Sequence, residues 1–211
     1  LGTGGYVSAP ICYVASKEGI ATVVHEQNSF LGLTNKFLIR YIDQMAICFN
    51  DIYEQVDKYK DKIVFTGNPR GQEVNSANLP MVDTVFGLDV TQPIALIFGG
   101  SRGAPRINQA VIDAYPELRN RGYQVVFVPG ETHYEQVVQE LEAKSPLKRN
   151  LHFVVKPYVD NMIDVLRNVS AIVSRSGATT IAEITVLGIP SILIPSPNVT
   201  DDHQTKNAMS L

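Results

Sequence analysis

The sequence predicts an α/β protein built on parallel sheets, and three observations carry that prediction. Short runs rich in Val and Ile recur along the chain and end in Gly, Pro, Asn or Ser. Segments with apolar residues three and four apart lie between them. The connections are short. Apolar runs of this length are the mark of strands buried on both faces, and strand–helix–strand alternation lays its helices over a parallel sheet.

The strands are expected at Ala21–His25, Met45–Phe49, Ile63–Thr66, Ile94–Phe98, Tyr123–Val128, Leu151–Val155, Ala171–Ser174 and Ser191–Pro195. Four helical stripes lie between them. They are Leu33/Phe37/Leu38/Tyr41, Ile107/Ala110/Val111/Ala114/Leu118, Tyr134/Val137/Val138/Leu141 and Ile181/Ile184/Leu187. Each buries one helix face. A last helix is expected from Asp202 to Leu211. Lys36 and Arg40 beside the first stripe read locally as solvated cations on a core-packing helix.

Length and composition narrow the function classes. At roughly 150 residues per domain, 211 residues make between one and two domains. The best break follows Asn68-Pro69-Arg70-Gly71, where Gln72–Pro80 turns polar; a new unit starts near Thr91-Gln92-Pro93. With 45% hydrophobic and 18% charged residues, the chain is not a disordered one. A net charge of −3 without a Lys/Arg run disfavours nucleic acid as partner. No apolar stretch is long enough to span a bilayer. Two scattered cysteines, Cys12 and Cys48, point to a reducing compartment, and the four histidines form no metal-ligand pattern. The chain opens on Leu1-Gly2-Thr3-Gly4-Gly5, a glycine loop of the kind that follows a strand, so a piece of a longer polypeptide is expected.

Ligands of open α/β sheets bind at the carboxyl ends of strands, so the residues after each strand are the candidates. Gly99-Gly100-Ser101-Arg102-Gly103-Ala104 precedes the Ile107 helix. It reads either as a tight turn or as a phosphate cradle of backbone amides at a helix N-terminus. Arg175-Ser176-Gly177-Ala178-Thr179-Thr180 leads into the helix bearing Glu183. Ser176 suits a cap, and Glu183 suits two vicinal hydroxyls. On local grounds alone a solvated Glu183 is the plainer reading. After the last strand, Asp202, His203 and Gln204 read either as a capped helix start or as sugar contacts. Residues His25 to Asn28 leave a buried strand as a polar set. Both glycine loops break the G-x-G-x-x-G fingerprint, at Val7 and at Ser101, and no phosphate-binding P-loop motif occurs.

Taken as a set, these loops resemble the MurG family, the glycosyltransferases that add N-acetylglucosamine (GlcNAc) to lipid I in peptidoglycan synthesis. The matching stretches are Gly4-Gly5-Tyr6-Val7-Ser8, His25-Glu26-Gln27-Asn28, Gly32-Leu33-Thr34-Asn35-Lys36, Gly67-Asn68-Pro69, Gly99 to Ala104, Arg175-Ser176-Gly177-Ala178 with Glu183, and His203-Gln204 followed by Asn207-Ala208. They run in family order and span almost the whole chain.

The resemblance implies a GT-B architecture, two Rossmann-like doubly wound parallel sheets facing a cleft, the first of them incomplete. Residues 1–70 would be the later part of the acceptor domain, 71–90 a linker, and 91–211 most of the UDP-GlcNAc domain. It implies an inverting transfer of GlcNAc from UDP-GlcNAc to the MurNAc C4 hydroxyl of lipid I, giving lipid II, with no catalytic metal. Ser101, Arg102 and Gly103 would meet the nucleotide-sugar. Backbone groups at Val159 would read the uracil, with Met162 near. Ser176, Ala178, Thr179 and Thr180 would lie at the diphosphate and sugar. Glu183 would hold the ribose, and Gln204 and His203 the GlcNAc. Asn28 would face the sugar, and Arg70 stands near the position of a family arginine. Glu26 enters as a participant, with the main base region expected upstream and the isolated chain expected to be impaired. The implied setting is the cytoplasmic face of a bacterial plasma membrane, with lipid I and the membrane surface as partners. Three other readings compete with it: an epimerase of UDP-GlcNAc or another UDP-sugar enzyme of the same architecture, an NAD-dependent dehydrogenase, and a non-catalytic nucleotide-binding module.

Overall fold

The computed structural model describes residues 1–76, 84–100, 103–147, 152–197 and 199–211. By contacts the chain divides into two compact units. One is Leu1–Asn75 with Ser176–Ala182 and Pro195–Leu211; the other is Ser76–Arg175 with Glu183–Ile194.

The first unit is built on three parallel strands in the order β1 (Val23–Glu26), β2 (Gln44–Ile47), β3 (Ile63–Phe65). Gly2 pairs in parallel with Val24: its N–H donates to the Val23 carbonyl at 2.9 Å, and its carbonyl accepts from His25 N–H at 2.8 Å. Gly4 and Gly5 then turn with φ of 87° and 73° into helix α1 (Gly5–Lys17). Such positive φ is cheap for glycine alone. Helices α2 (Leu33–Leu38), α3 (Ile52–Gln55) and α4 (Pro69–Ser76) follow in order. Val24, Leu38, Ile42, Met45, Ile47 and Ile52 form the core. Thr22 N–H and Oγ1 both donate to Asp43 Oδ2, which stitches the entry of β1 to that of β2 and holds the Asp43 carboxyl below its ordinary range. Lys62 Nζ donates to the carbonyls of Ile39 and Ile42, at 3.2 and 2.8 Å, where the end of α2 leaves acceptors exposed.

The second unit opens with a hairpin, β4 (Thr84–Val85) and β5 (Leu88–Asp89), turning at Phe86 and Gly87 with positive φ. The Gln124 side chain, 2% exposed, exchanges two hydrogen bonds with the Asp89 backbone and fixes this hairpin to the main sheet. That sheet is parallel: β6 (Ile94–Phe98), β7 (Gln124–Val128), β8 (Phe153–Val155), β9 (Ala171–Ser174) and β10 (Ser191–Leu193), in the spatial order β10-β9-β6-β7-β8. Its helices are α5 (Pro105–Leu118), α6 (Tyr134–Lys144), α7 (Met162–Leu166) and α8 (Ala178–Leu187). Alternate side chains go to opposite faces of a strand. Leu96, Phe98, Val126 and Val128 accordingly join one core with Leu166 and Ile184, while Ile97, Val125 and Phe127 join another with Ile107, Tyr115 and Leu141. Two covered faces explain the continuous apolar runs of the sequence.

The predicted strands are all present, within two residues at each end; the start expected at Leu151 lies outside the described residues. Three expectations change. The first stripe does not bury as a unit, because α2 ends at Leu38 and its covered side is Asn35 and Leu38, followed by Ile39 and Ile42. Leu33 is 76% exposed and Phe37 43%. In α5 the covered residues include Ile112 and Tyr115, while Ala110 is exposed. Of the polar stretch Gln72–Pro80, residues 72–76 belong to helix α4, and the rest lies outside the described residues. Helix α1 was not expected from periodicity: its exposed Tyr6, Val7, Ile11 and Val14 blur the stripe.

Candidate functional site

In the first unit a cavity of about 340 Å³ opens where β1 ends and α1 begins. Its lining includes Gly4 and Gly5 from the glycine turn, Glu26 and Asn28 after β1, Asn35 on α2, and Asp201 and His203 at the start of helix α9 (His203–Met209).

Glu26 organises this cavity and is 5% exposed. Its Oε1 accepts from Asn28 N–H at 3.1 Å and faces Asn28 Nδ2 at 3.4 Å. Its Oε2 accepts from Gly32 N–H at 3.1 Å and Asn35 Nδ2 at 2.9 Å. A buried carboxylate is retained when donors satisfy it, and here the donors fold the loop from Gln27 to Gly32 around it. Beside it, Cys48 Sγ lies 3.2 Å from His25 Nε2. Burial first, and the Glu26 charge second, push that thiol up to about 11.

Asn28 is held from the other side by α9. Its Oδ1 accepts from Asn207 Nδ2 at 3.1 Å, and Asn207 Oδ1 accepts from Ser29 N–H at 2.8 Å. Lys206 Nζ sits 3.4 Å from the centre of the Phe30 ring, a cation–π contact on the same loop. Ser176 Oγ donates to the Gln204 carbonyl at 2.8 Å, and Gln204 Oε1 accepts from Ser196 N–H at 2.8 Å. Glu26, Asn28 and His203 therefore share one cavity, and Ser176 and Gln204 belong to the network beside it. Arg70 lies on α4 and pairs with Glu73 at 2.7 Å.

In the second unit the strand order reverses between β6 and β9, the switch point at which open α/β sheets take ligands. Phe98 and Ser174 pair at that end. After Phe98 the chain turns at Gly100, with φ of 86°, toward the 14-residue helix α5. Gly103 has φ of 72°, and a Cβ there would strike the Pro129 carbonyl and the His133 ring. Asn108 Nδ2 donates to that same carbonyl at 3.0 Å. Arg175 follows β9 and donates to the Ile194 carbonyl at 3.1 Å. Burial, and then the like charge of Arg106, lower its pKa. Arg175 and Arg106 thus bring cationic charge to this end of the sheet, and the glycine turn closes on itself, with Gly103 N–H donating to the Gly100 carbonyl at 2.9 Å.

Ser101 and Arg102 lie outside the described residues. Val159 buries its side chain in the core, and Met162 opens α7 against the same core. Ala178 is buried at the start of α8, Thr179 is exposed and Thr180 half-buried. Glu183 is 5% exposed, so the solvated-face reading fails. Sequence reasoning gave no role to Asn35, Asn207 or Arg106. A signal existed for the two asparagines, because Asn disfavours helix interiors and is tolerated there when a partner demands it. Among the described residues no group of three or more His, Cys, Asp or Glu is placed to hold a metal ion, and no helix is long and apolar enough to cross a membrane.

Comparison with known proteins gives a consistent set of matches. The model of the glycosyltransferase family 28 C-terminal domain matches residues 94–211, and that of the family's N-terminal domain matches residues 1–47. Over all 211 residues the chain is 54% identical to the UDP-N-acetylglucosamine--N-acetylmuramyl-(pentapeptide) pyrophosphoryl-undecaprenol N-acetylglucosamine transferase of Latilactobacillus sakei. It is 51% identical to the protein of that name from Bacillus subtilis. It spans 57% of the length of each. Among solved structures, MurG of Acinetobacter baumannii superposes with a TM-score of 0.73 at 29% identity, over 99% of this chain and 56% of that one. The UDP-GlcNAc 2-epimerase of Methanocaldococcus jannaschii, at 12% identity and a TM-score of 0.59 over 94% of this chain and 64% of that one, shares the fold.

Proposed function

This chain belongs to glycosyltransferase family 28, and from that premise we propose that it serves the transfer of GlcNAc from UDP-GlcNAc to the MurNAc C4 hydroxyl of lipid I, yielding lipid II. The observation that carries the reading is the 54% identity with a transferase of that name along every residue of the chain. The domain roles follow. We assign residues 1–70 to the acceptor side and 91–211 to the donor side, with residues 71–90, which include the end of α4 and the hairpin, between them.

The proposed chemistry is a single displacement. The acceptor hydroxyl oxygen attacks the anomeric carbon as its proton passes to a general base, the bond to UDP breaks with its electron pair leaving on the diphosphate, and the configuration inverts. Charge develops on the departing diphosphate, and preorganised donors are the strongest means of stabilising it. We assign that role to the turn at Gly100, the N-terminus of α5 and the cationic Arg175. Glu183 is assigned the ribose hydroxyls, the Val159 backbone the uracil edge, and Asn28, His203 and Gln204 the sugar. Glu26 is assigned to the cavity as the carboxylate that holds Asn28, Gly32 and Asn35 in place.

We assign the working location to the cytoplasmic face of a bacterial plasma membrane. The exposed Phe37 stacks with Tyr13 and Tyr41, with Lys17 over the two tyrosine rings and Lys36 and Arg40 exposed nearby. Aromatic rings flanked by cations suit an anionic lipid surface.

Thermal denaturation tests the donor assignment. UDP and UDP-GlcNAc are expected to raise the melting temperature, by several degrees at a hundredfold excess over Kd, where binding adds about 2.7 kcal/mol. NAD is expected to leave it unchanged. A shift with NAD alone would overturn the proposal.

A further inference from the structure

We propose that Asn207 is a positioning residue that sets the orientation of the Asn28 carboxamide, and through it the recognition of the sugar half of the donor. The inference rests on the UDP-GlcNAc reading and adds to it a residue with no role so far.

Asn207 is 0% exposed, so it does not itself meet a ligand in the cavity. Both ends of its side chain are engaged. Its Oδ1 accepts from Ser29 N–H at 2.8 Å. Its Nδ2 donates to Asn28 Oδ1 at 3.1 Å and lies 3.4 Å from the Ser176 carbonyl. A carboxamide has a donor end and an acceptor end, and it can flip about its last bond. Two neighbours remove that freedom from Asn28. Asn207 presents a donor to the Asn28 oxygen, while the Glu26 carboxylate faces the Asn28 nitrogen at 3.4 Å. A flipped Asn28 would place oxygen against carboxylate and N–H against N–H. Asn28 lines the cavity and Asn207 does not, so Asn207 acts on a ligand only through Asn28.

Asn207→Asp separates positioning from folding. It keeps an acceptor for Ser29 N–H and exchanges the donor facing Asn28 for a second oxygen, which favours the flipped amide. Asn207→Ala removes both. Calorimetric titration of the 211-residue chain with UDP-GlcNAc and with UDP gives the functional readout. Both variants are expected to lose roughly tenfold in affinity for UDP-GlcNAc, the loss of about one hydrogen bond, with UDP unchanged. Asn28→Ala is expected to do the same, and adding Asn207→Asp to it is expected to cost nothing further. Equal weakening of both nucleotides, or additive losses, would overturn the proposal. A ligand-free measurement stands beside it: the Asn28 side-chain amide resonances should move in Asn207→Asp, and unmoved resonances would also overturn it. If the wild-type chain binds neither nucleotide, the UDP-GlcNAc reading falls, and the Asn28 resonances still decide whether Asn207 holds that amide.

Discussion

Gly103 has no room for a side chain. Its φ of 72° is unfavourable for any residue with a Cβ, and that Cβ would meet the Pro129 carbonyl, which Asn108 holds in place from α5. Gly103→Ala is therefore expected to destabilise the second unit by roughly 2–4 kcal/mol, from left-handed strain plus overpacking. Urea unfolding measures it, and a loss below about 0.5 kcal/mol would mean that the loop relaxes freely. The sequence singled out this glycine as a ligand contact; its steric role was hidden because Pro129 is remote in the chain. Cys48 makes a second prediction. Its folded-state pKa, pushed up to about 11 by burial and by Glu26, lies above the unfolded value near 9.0. The protonated thiol is thus favoured by the fold, and the stability it contributes is full below about pH 9 and lost as pH rises toward about 11. The urea midpoint should fall across that window more steeply in the wild type than in Cys48→Ser. Parallel curves would sink the assignment.

At the scale of elements, the strands were legible because their two covered faces demand unbroken apolar runs, as in β7, all five of whose residues are buried. Helices were less legible. Leu33, Phe37 and Tyr41 repeat every four residues, and so do Leu38 and Ile42, so one sequence segment offers two stripes. The fold buries the second, and α2 stops after Leu38, with Lys62 bonding to the carbonyls of Ile39 and Ile42. Of the first stripe, Leu33 stays exposed, while Phe37 and Tyr41 meet each other at 5.2 Å and Tyr13 of α1 at 5.9 and 4.8 Å. If this patch meets lipid, Phe37→Glu should weaken sedimentation with phosphatidylglycerol vesicles about tenfold, because it removes apolar contact and adds repulsion at an anionic surface. High salt should weaken the wild-type binding as well. Unchanged binding by the variant, at a matched melting temperature, would remove α2 from any membrane role.

At the scale of the molecule, topology alone leaves the nucleotide open. The order β8-β7-β6-β9-β10 is the one that dinucleotide-binding sheets use, and an epimerase shares the fold at 12% identity. Chemistry at the switch point has to discriminate, and the side chain we assign to that task is Glu183. It sits one turn and a half into α8 and is buried there. From the sequence alone it was indistinguishable from a solvated helix glutamate, since burial depends on what the helix is packed against. If it accepts from the ribose hydroxyls, Glu183→Gln should weaken UDP binding by about 1–3 kcal/mol, the range for a hydrogen bond to a charged group. The same loss should appear when the wild type is given 2′-deoxy-UDP in place of UDP. Combining the two changes should cost little more than either, because both remove one interaction. Additive losses would mean that Glu183 and the 2′-hydroxyl act independently. In that case Glu183 is a structural carboxylate of the second unit, and the ribose contact belongs to another residue.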